Sequence, residues 1–149
     1  MSVNLSSCLD KQTSLERRFH QLIDVQEKYA LLIEMGRILH KKSNPLIALP
    51  KNLVRGCQSE VFLTGRSIDG EIFFDFYSEA LISTGLVALL LDIYQGELGE
   101  VILKCPPLCL ERLGLYTSLT PTRINGLANI YLKMQQEALR LLLYSHREE

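Results

Sequence analysis

Val61–Phe76, VFLTGRSIDGEIFFDF, reads as two strands with a turn between them. Val61 to Arg66 and Glu71 to Phe76 are rich in branched and aromatic residues, which suit a pleated, half-buried surface. Asp69-Gly70 supplies the positive-φ positions that a tight hairpin turn requires. The long segments on either side carry helical periodicities instead. A small antiparallel sheet whose apolar face must be covered by helices predicts an α+β fold.

Immediately upstream, Arg55-Gly56-Cys57-Gln58-Ser59-Glu60 sets a cysteine after a glycine and before a polar pair. Gly56 can take backbone conformations closed to other residues, and Gln58 and Ser59 keep the turn polar. Cys57 is therefore presented at the mouth of the first strand. Most free cysteines are buried packing residues, whereas polar loops hold few of them. On these residues alone, a displayed sulfur and a structural thiol stand level.

Moving outward, Thr13 with Glu16 reads as a capping box, after which Leu15, Phe19, Leu22 and Ile23 share one helical face. Residues 1–12, including Cys8, are expected to form a flexible leader. Asp24 with Glu27 opens a second helix carrying Tyr29, Leu32, Ile33 and Leu39. Lys41 to Lys51, with Asn44-Pro45 and Pro50, reads as loop. Ser78 can cap a third helix to about Tyr94; it is apolar on most faces, which predicts a buried central pillar. Gly85 within it signals close backbone packing. Glu97 to Leu103 and Leu108 to Leu113 are short helices separated by Pro106-Pro107, and Gly114 is a helix stop. Thr120 caps the last helix with Pro121 at its first position, and Ile124, Leu127, Ala128, Tyr131, Gln135, Ala138 and Leu142 mark its apolar face.

At 149 residues and 47% hydrophobic composition the chain can bury a sizeable core, and one domain over 1–149 is expected. Sixteen basic against 17 acidic residues, net charge −1, leave no electrostatic footprint for nucleic acid or a membrane surface. The apolar stretch Ala80 to Leu91 is too short to span a bilayer, and the N-terminus lacks the basic start and apolar run of a signal peptide. A cytoplasmic protein is expected, with its four cysteines as free thiols. Cys105 and Cys109, as CPPLC, have a spacing that a metal could use. No second pair follows, and His20, His40 and His146 lie far away in sequence, so core cysteines are expected and no metal.

Arg123 stands in the first turn of the last helix, where a cation opposes the macrodipole at a cost of about 0.3–1 kcal/mol. Free amides at that helix start together with a guanidinium make a natural anion site; the alternative is a solvated arginine whose stem covers Ile124 or Leu127. Gly126 costs that helix about 0.5–1 kcal/mol against alanine, and close backbone packing is the expected reason. Glu60, Arg66 and Glu79 flank the cysteine's elements as interface candidates. A nucleophilic cysteine needs a lowered pKa and access. Arg55 is near in sequence and Arg123 is expected near in space, so a thiolate would be favoured. No CxxC pair, phosphate-binding loop or G-x-S-x-G elbow occurs.

The turn also resembles the signature of the SufE family, G-C-x-S followed by a V-W-[LI] strand. Here it stands as Gly56, Cys57, Gln58, Ser59, Glu60, Val61, Phe62 and Leu63, with phenylalanine where tryptophan is usual. The likeness runs colinearly from about Leu15, through Glu27-Lys28-Tyr29, Glu34-Met35-Gly36 and Ser78-Glu79-Ala80 with Gly85. It ends in Leu119-Thr120-Pro121-Thr122-Arg123 with Asn125-Gly126-Leu127, where Ile124 replaces the small or polar residue usual after the arginine. The resemblance implies a SufE/IscU-like α+β fold and a sulfur carrier without a cofactor. Cys57 would take persulfide sulfur from a pyridoxal-phosphate cysteine desulfurase of the SufS kind, stimulate that enzyme, and pass the sulfur to an iron-sulfur cluster scaffold. Arg123, Gly56, Gln58, Ser59, Glu79 and Arg55 would meet the partner. Two other readings stay open at this point: a stand-alone cysteine hydrolase or thiol peroxidase using Cys57, the latter resolved by Cys105 or Cys109, and an interaction module in which Cys57 merely packs. Sequence also leaves open which desulfurase is the partner, the final acceptor, and whether the chain forms a homodimer.

Overall fold

The computed structural model describes residues 2–148. Helix α1 spans Ser6–His20 and α2 spans Val25–His40, with the Asp24 side chain accepting from the Gln26 N–H at 2.9 Å as the N-cap. Two 3₁₀ turns, Pro45–Ile47 and Pro50–Asn52, order the loop that follows. Strands β1 (Phe62–Ile68) and β2 (Glu71–Tyr77) pair antiparallel, with Phe62 opposite Tyr77 and Ile68 opposite Glu71. Asp69 and Gly70 turn between them at φ 53° and 83°, the mirror-image turn that matches strand twist. Then come α3 (Leu81–Tyr94), α4 (Gly99–Lys104), a 3₁₀ stretch at Leu108–Arg112, and α5 (Pro121–Glu148). The architecture is α+β, with one two-stranded sheet among helices.

Helix α3 is buried along nearly its whole length, from Ser83 to Leu91 and again at Ile93 and Tyr94. It lies so close to α2 that a Cβ at Gly36 would come within 2.6 Å of the Leu81 carbonyl oxygen, and one at Gly85 within 2.7 Å of that of Leu32. Only glycine allows two backbones to meet this way. Ser78 does not start α3 directly: the helix begins at Leu81, and the buried Ser78 hydroxyl accepts from the Ala80 N–H.

Two expectations are corrected. Residues 6–12 are not part of a flexible leader, and Met1 lies outside the described residues: α1 starts at Ser6, where the Asn4 carboxamide accepts from the Ser6 N–H, and Cys8, Gln12, Leu15 and Phe19 form its buried stripe. Lys11 pairs with Glu97 at 2.9 Å and Ser7 donates to the same carboxylate, docking the first turns. Thr13 lies inside this helix, its hydroxyl donating to the Leu9 carbonyl, and caps nothing. The second correction concerns α5. Its buried stripe runs Leu127, Ile130, Met134 and Ala138, while Ala128 is exposed and Gln135 half-buried. The stripe is rotated because α5 must lie across β1: Glu137, also buried, accepts from the Gly65 N–H at 2.9 Å and from the Thr64 hydroxyl at 3.0 Å.

Candidate functional site

The loop that carries Cys57 is closed at its neck. The Val54 N–H donates to the Val61 carbonyl at 2.8 Å, Leu53 bridges to Phe62, and both valines are buried. Between them, residues 55–60 turn outward, with Gly56 at φ 80°, the left-handed region that favours glycine. Helix α5 clasps this turn. The Asn129 amide donates to the Gly56 carbonyl at 3.4 Å, and the Lys133 ammonium donates to the Lys51 carbonyl at 3.0 Å. A side chain at Gly56 would also run into the Asn129 amide, so glycine is required there twice over.

Cys57 is half-buried and packs against the edge of the core. Its thiol donates weakly to the Gly126 carbonyl in α5, Sγ to O 3.8 Å, its one hydrogen-bond partner among the described residues. Burial pushes the thiol above its ordinary value, and no cation offsets it. This overturns the expectation that Arg55 and Arg123 favour the thiolate. Arg55 projects into solvent beside Asn129 and Lys133. Arg123 is half-buried one turn before Gly126, its backbone N–H donating to the Thr120 cap at 3.2 Å. Its guanidinium has no ion-pair partner among the described residues.

Of the other expected site residues, Ser59 and Glu79 come to one cleft. With Ala48, Glu60, Phe62, Tyr77 and Ala80 they line a cleft of about 610 Å³ beside the Cys57 turn. The Tyr77 hydroxyl donates to the Glu79 carboxylate at 2.5 Å, fixing it on one wall, and the Tyr77 and Phe62 rings pack at 6.2 Å. Gln58 is exposed on the turn. Sequence reasoning missed Asn129 and Lys133, which hold the loop from a helix more than 70 residues downstream. Nothing in the local pattern ties either to residues 51–56.

The remaining thiols are elsewhere. Cys8, Cys105 and Cys109 are all buried and gather around the Gln12 carboxamide. Its nitrogen lies 3.7 and 3.5 Å from the sulfurs of Cys8 and Cys105 and donates to the Pro106 carbonyl, while its oxygen accepts from the Cys109 N–H. No three His, Cys, Asp or Glu side chains converge as metal ligands among the described residues, and no helix there is long and apolar enough to cross a membrane.

Residues 13–138 match the SufE family model, described as an Fe-S metabolism associated domain. An uncharacterized SufE-like protein of Synechocystis sp. is 36% identical over 129 residues, covering 85% of this chain and 79% of the relative. The solution structure of a hypothetical protein from Thermus thermophilus superposes with a TM-score of 0.73 at 24% identity, over 89% of this chain and 96% of that one, and shares its fold.

Proposed function

The chain belongs to the SufE family, associated with iron-sulfur metabolism, and from that premise we propose that it is a persulfide carrier that works through Cys57. The observation that carries this reading is selective display: of four free thiols, only Cys57 is off the core, and it sits on a loop closed at its neck and clasped by α5. A pyridoxal-phosphate cysteine desulfurase of the SufS kind is the donor, in the cytoplasm, and an iron-sulfur scaffold the acceptor.

In the transfer, Cys57 Sγ bonds to the terminal sulfur of the desulfurase's cysteine persulfide as the donor S–S bond breaks. The proton of the Cys57 thiol ends on the released cysteine, so one persulfide and one thiol become one thiol and one persulfide. Taking the product sulfur away is what stimulates the desulfurase. The hydrolase and peroxidase readings gain no support from the site. The Cys57 sulfur has neither a histidine nor a carboxylate as a hydrogen-bond partner among the described residues, and Cys105 and Cys109 are buried with their own partners.

Incubation with such a desulfurase and free cysteine tests the proposal. Mass spectrometry is expected to find one added sulfur on the peptide holding Cys57, removed by dithiothreitol and absent from Cys57→Ser. An unmodified Cys57 together with an unstimulated desulfurase would sink it.

A further inference from the structure

The buried Gln12 carboxamide lies between two sulfurs. Its two N–H bonds face three acceptors: the Pro106 carbonyl at 3.1 Å, the Cys105 sulfur at 3.5 Å and the Cys8 sulfur at 3.7 Å. Cys8 comes from the first turn of α1 and Cys105 is the C-cap of α4, so two elements far apart in sequence each deliver one thiol to the same amide. The two thiols also meet each other. After burial, hydrogen bonding with Cys105 is the next cause that pushes the Cys8 thiol up to about 12.

Packing alone asks for no such arrangement. A buried cysteine behaves as a small hydrophobe, and an apolar side chain at position 12 would continue the stripe with no polar atoms of its own to satisfy. The carboxamide instead makes the site compatible with two states of the sulfurs. With both thiols reduced, the amide N–H and the S–H donors share the two sulfurs and the Pro106 carbonyl. With the sulfurs joined, both S–H donors are gone, and the amide still has the carbonyl and the sulfurs to donate to. Neither state strands a buried polar group. Cys109 is held at the other end of the amide, its backbone N–H donating to the Gln12 carbonyl oxygen at 3.1 Å.

We propose that Cys8 and Cys105 form an oxidisable pair that a peroxide converts into a disulfide, latching the first turn of α1 to the end of α4. The Cys8 Sγ bonds to one oxygen of hydrogen peroxide, the O–O bond breaks, and the thiol proton leaves with the other oxygen as water. The Cys105 Sγ then bonds to the Cys8 Sγ, the S–O bond breaks, and the Cys105 proton leaves with that hydroxide as a second water. Two thiols and one peroxide become one disulfide and two waters. Both sulfurs are buried, so the peroxide reaches them when the first turn of α1 opens, a turn held by Lys11 and Ser7 on the Glu97 carboxylate. The bond closes a loop of about 100 residues, long enough to stabilise the fold. The inference is independent of the carrier reading.

The experiment treats the wild-type protein and Cys57→Ser with hydrogen peroxide, blocks remaining thiols in denaturant, and maps the peptides by mass spectrometry without reduction. A peptide pair joined through Cys8 and Cys105, short of two hydrogen atoms and separated by dithiothreitol, is expected in both proteins. Low concentrations of urea should speed its formation, because opening limits access. The oxidised Cys57→Ser protein should melt at least about 5 °C above its reduced form. In Cys8→Ser the same treatment should leave the melting temperature unchanged. Peroxide that leaves Cys8 and Cys105 unlinked in the wild-type map, or links either of them to Cys109 or Cys57 instead, overturns the proposal. So does a Cys8–Cys105 bond that lowers the melting temperature, since a strained link is no latch. The map and the Cys57→Ser melt decide on their own should Cys8→Ser fail to fold.

Discussion

The molecule holds its thiols in two contrasting ways. Around Gln12, three cysteines from α1 and the Cys105–Cys109 segment are sealed in the core, each flanked by groups that satisfy it, and the carboxamide links all three. At the Cys57 loop, one cysteine is lifted out of the core by a glycine turn and left with a single weak hydrogen bond. Burial raises the pKa in both places. It drives Cys8 and Cys109 up to about 12, and it raises Cys57 as well. What sets Cys57 apart from the packed thiols here is its access.

Native-state thiol labelling should show that contrast as the largest effect. Cys8 and Cys105 are sealed and react only when the structure opens, whereas Cys57 is partly open already. Cys57 should label at least about a thousandfold faster, a ratio set by opening free energies of several kcal/mol. Because the Cys57 pKa lies above the ordinary 9.0, its labelling rate should climb about tenfold per pH unit and show no plateau by pH 9. Peptide mapping by mass spectrometry after timed alkylation reads both. A Cys8 that labels as fast as Cys57, or a Cys57 plateau near neutral pH, breaks the distinction between the two settings.

How much of this was legible in the chain depends on the range of the interaction that decides it. The hairpin was readable because Asp69-Gly70 and its flanking strands are a local code, and the observed strands, Phe62–Ile68 and Glu71–Tyr77, differ from it only at their ends. Cys57 on its turn was readable for the same reason. Residues 6–12 were misread because Gln12 interrupts the apolar stripe that begins at Cys8; its partners, Pro106 and Cys109, lie more than 90 residues away in sequence. The face of α5 was misplaced because Glu137 is buried, and it is buried only because Gly65, Thr64 and Arg140 satisfy it. Burial works to raise the Glu137 pKa, and the hydrogen bonds from Arg140, the Gly65 N–H and Thr64 outweigh it and hold it below its usual value. Polar groups that pair across the fold are invisible to a hydrophobic pattern.

Gln12→Leu attacks the sealed region directly. Leucine keeps most of the volume but leaves the buried Cys109 N–H without its Gln12 partner, while the Pro106 carbonyl keeps the Leu108 N–H. A buried donor left unpaired costs about 1–3 kcal/mol, and a loss in that range in urea unfolding is expected. Cys8 labelling should rise with the lost stability while Cys57 labelling stays near wild type, since the loop is clasped by α5 and not by α1. Equal acceleration at both cysteines would mean that they share one opening event. The same region should make itself felt at high pH. The Cys8 and Cys109 pKa values are raised on folding, so the stability that comes from keeping them protonated is whole below their unfolded values and drains as pH climbs toward 12.

The smallest expected effect concerns Arg123, and it sharpens what the open region is for. A cation in the first turn of α5 stands against the positive end of the helix, and the guanidinium has no ion-pair partner among the described residues to offset that. Arg123→Ala should therefore leave the fold unharmed or more stable by about 0.3–1 kcal/mol in urea unfolding. If the residue merely covers α5 with its stem, nothing else changes. If it meets the partner's carboxylate or the anionic sulfur during exchange, the protein concentration that half-saturates desulfurase stimulation should rise about fivefold, roughly 1 kcal/mol for a lost charge-assisted contact. Stability and partner affinity then move in opposite directions, a pattern that loss of packing does not produce because it weakens both. A half-saturating concentration unchanged in Arg123→Ala returns the arginine to the solvated surface and confines the working part of the molecule to the Cys57 loop and the turn of α5 beneath it.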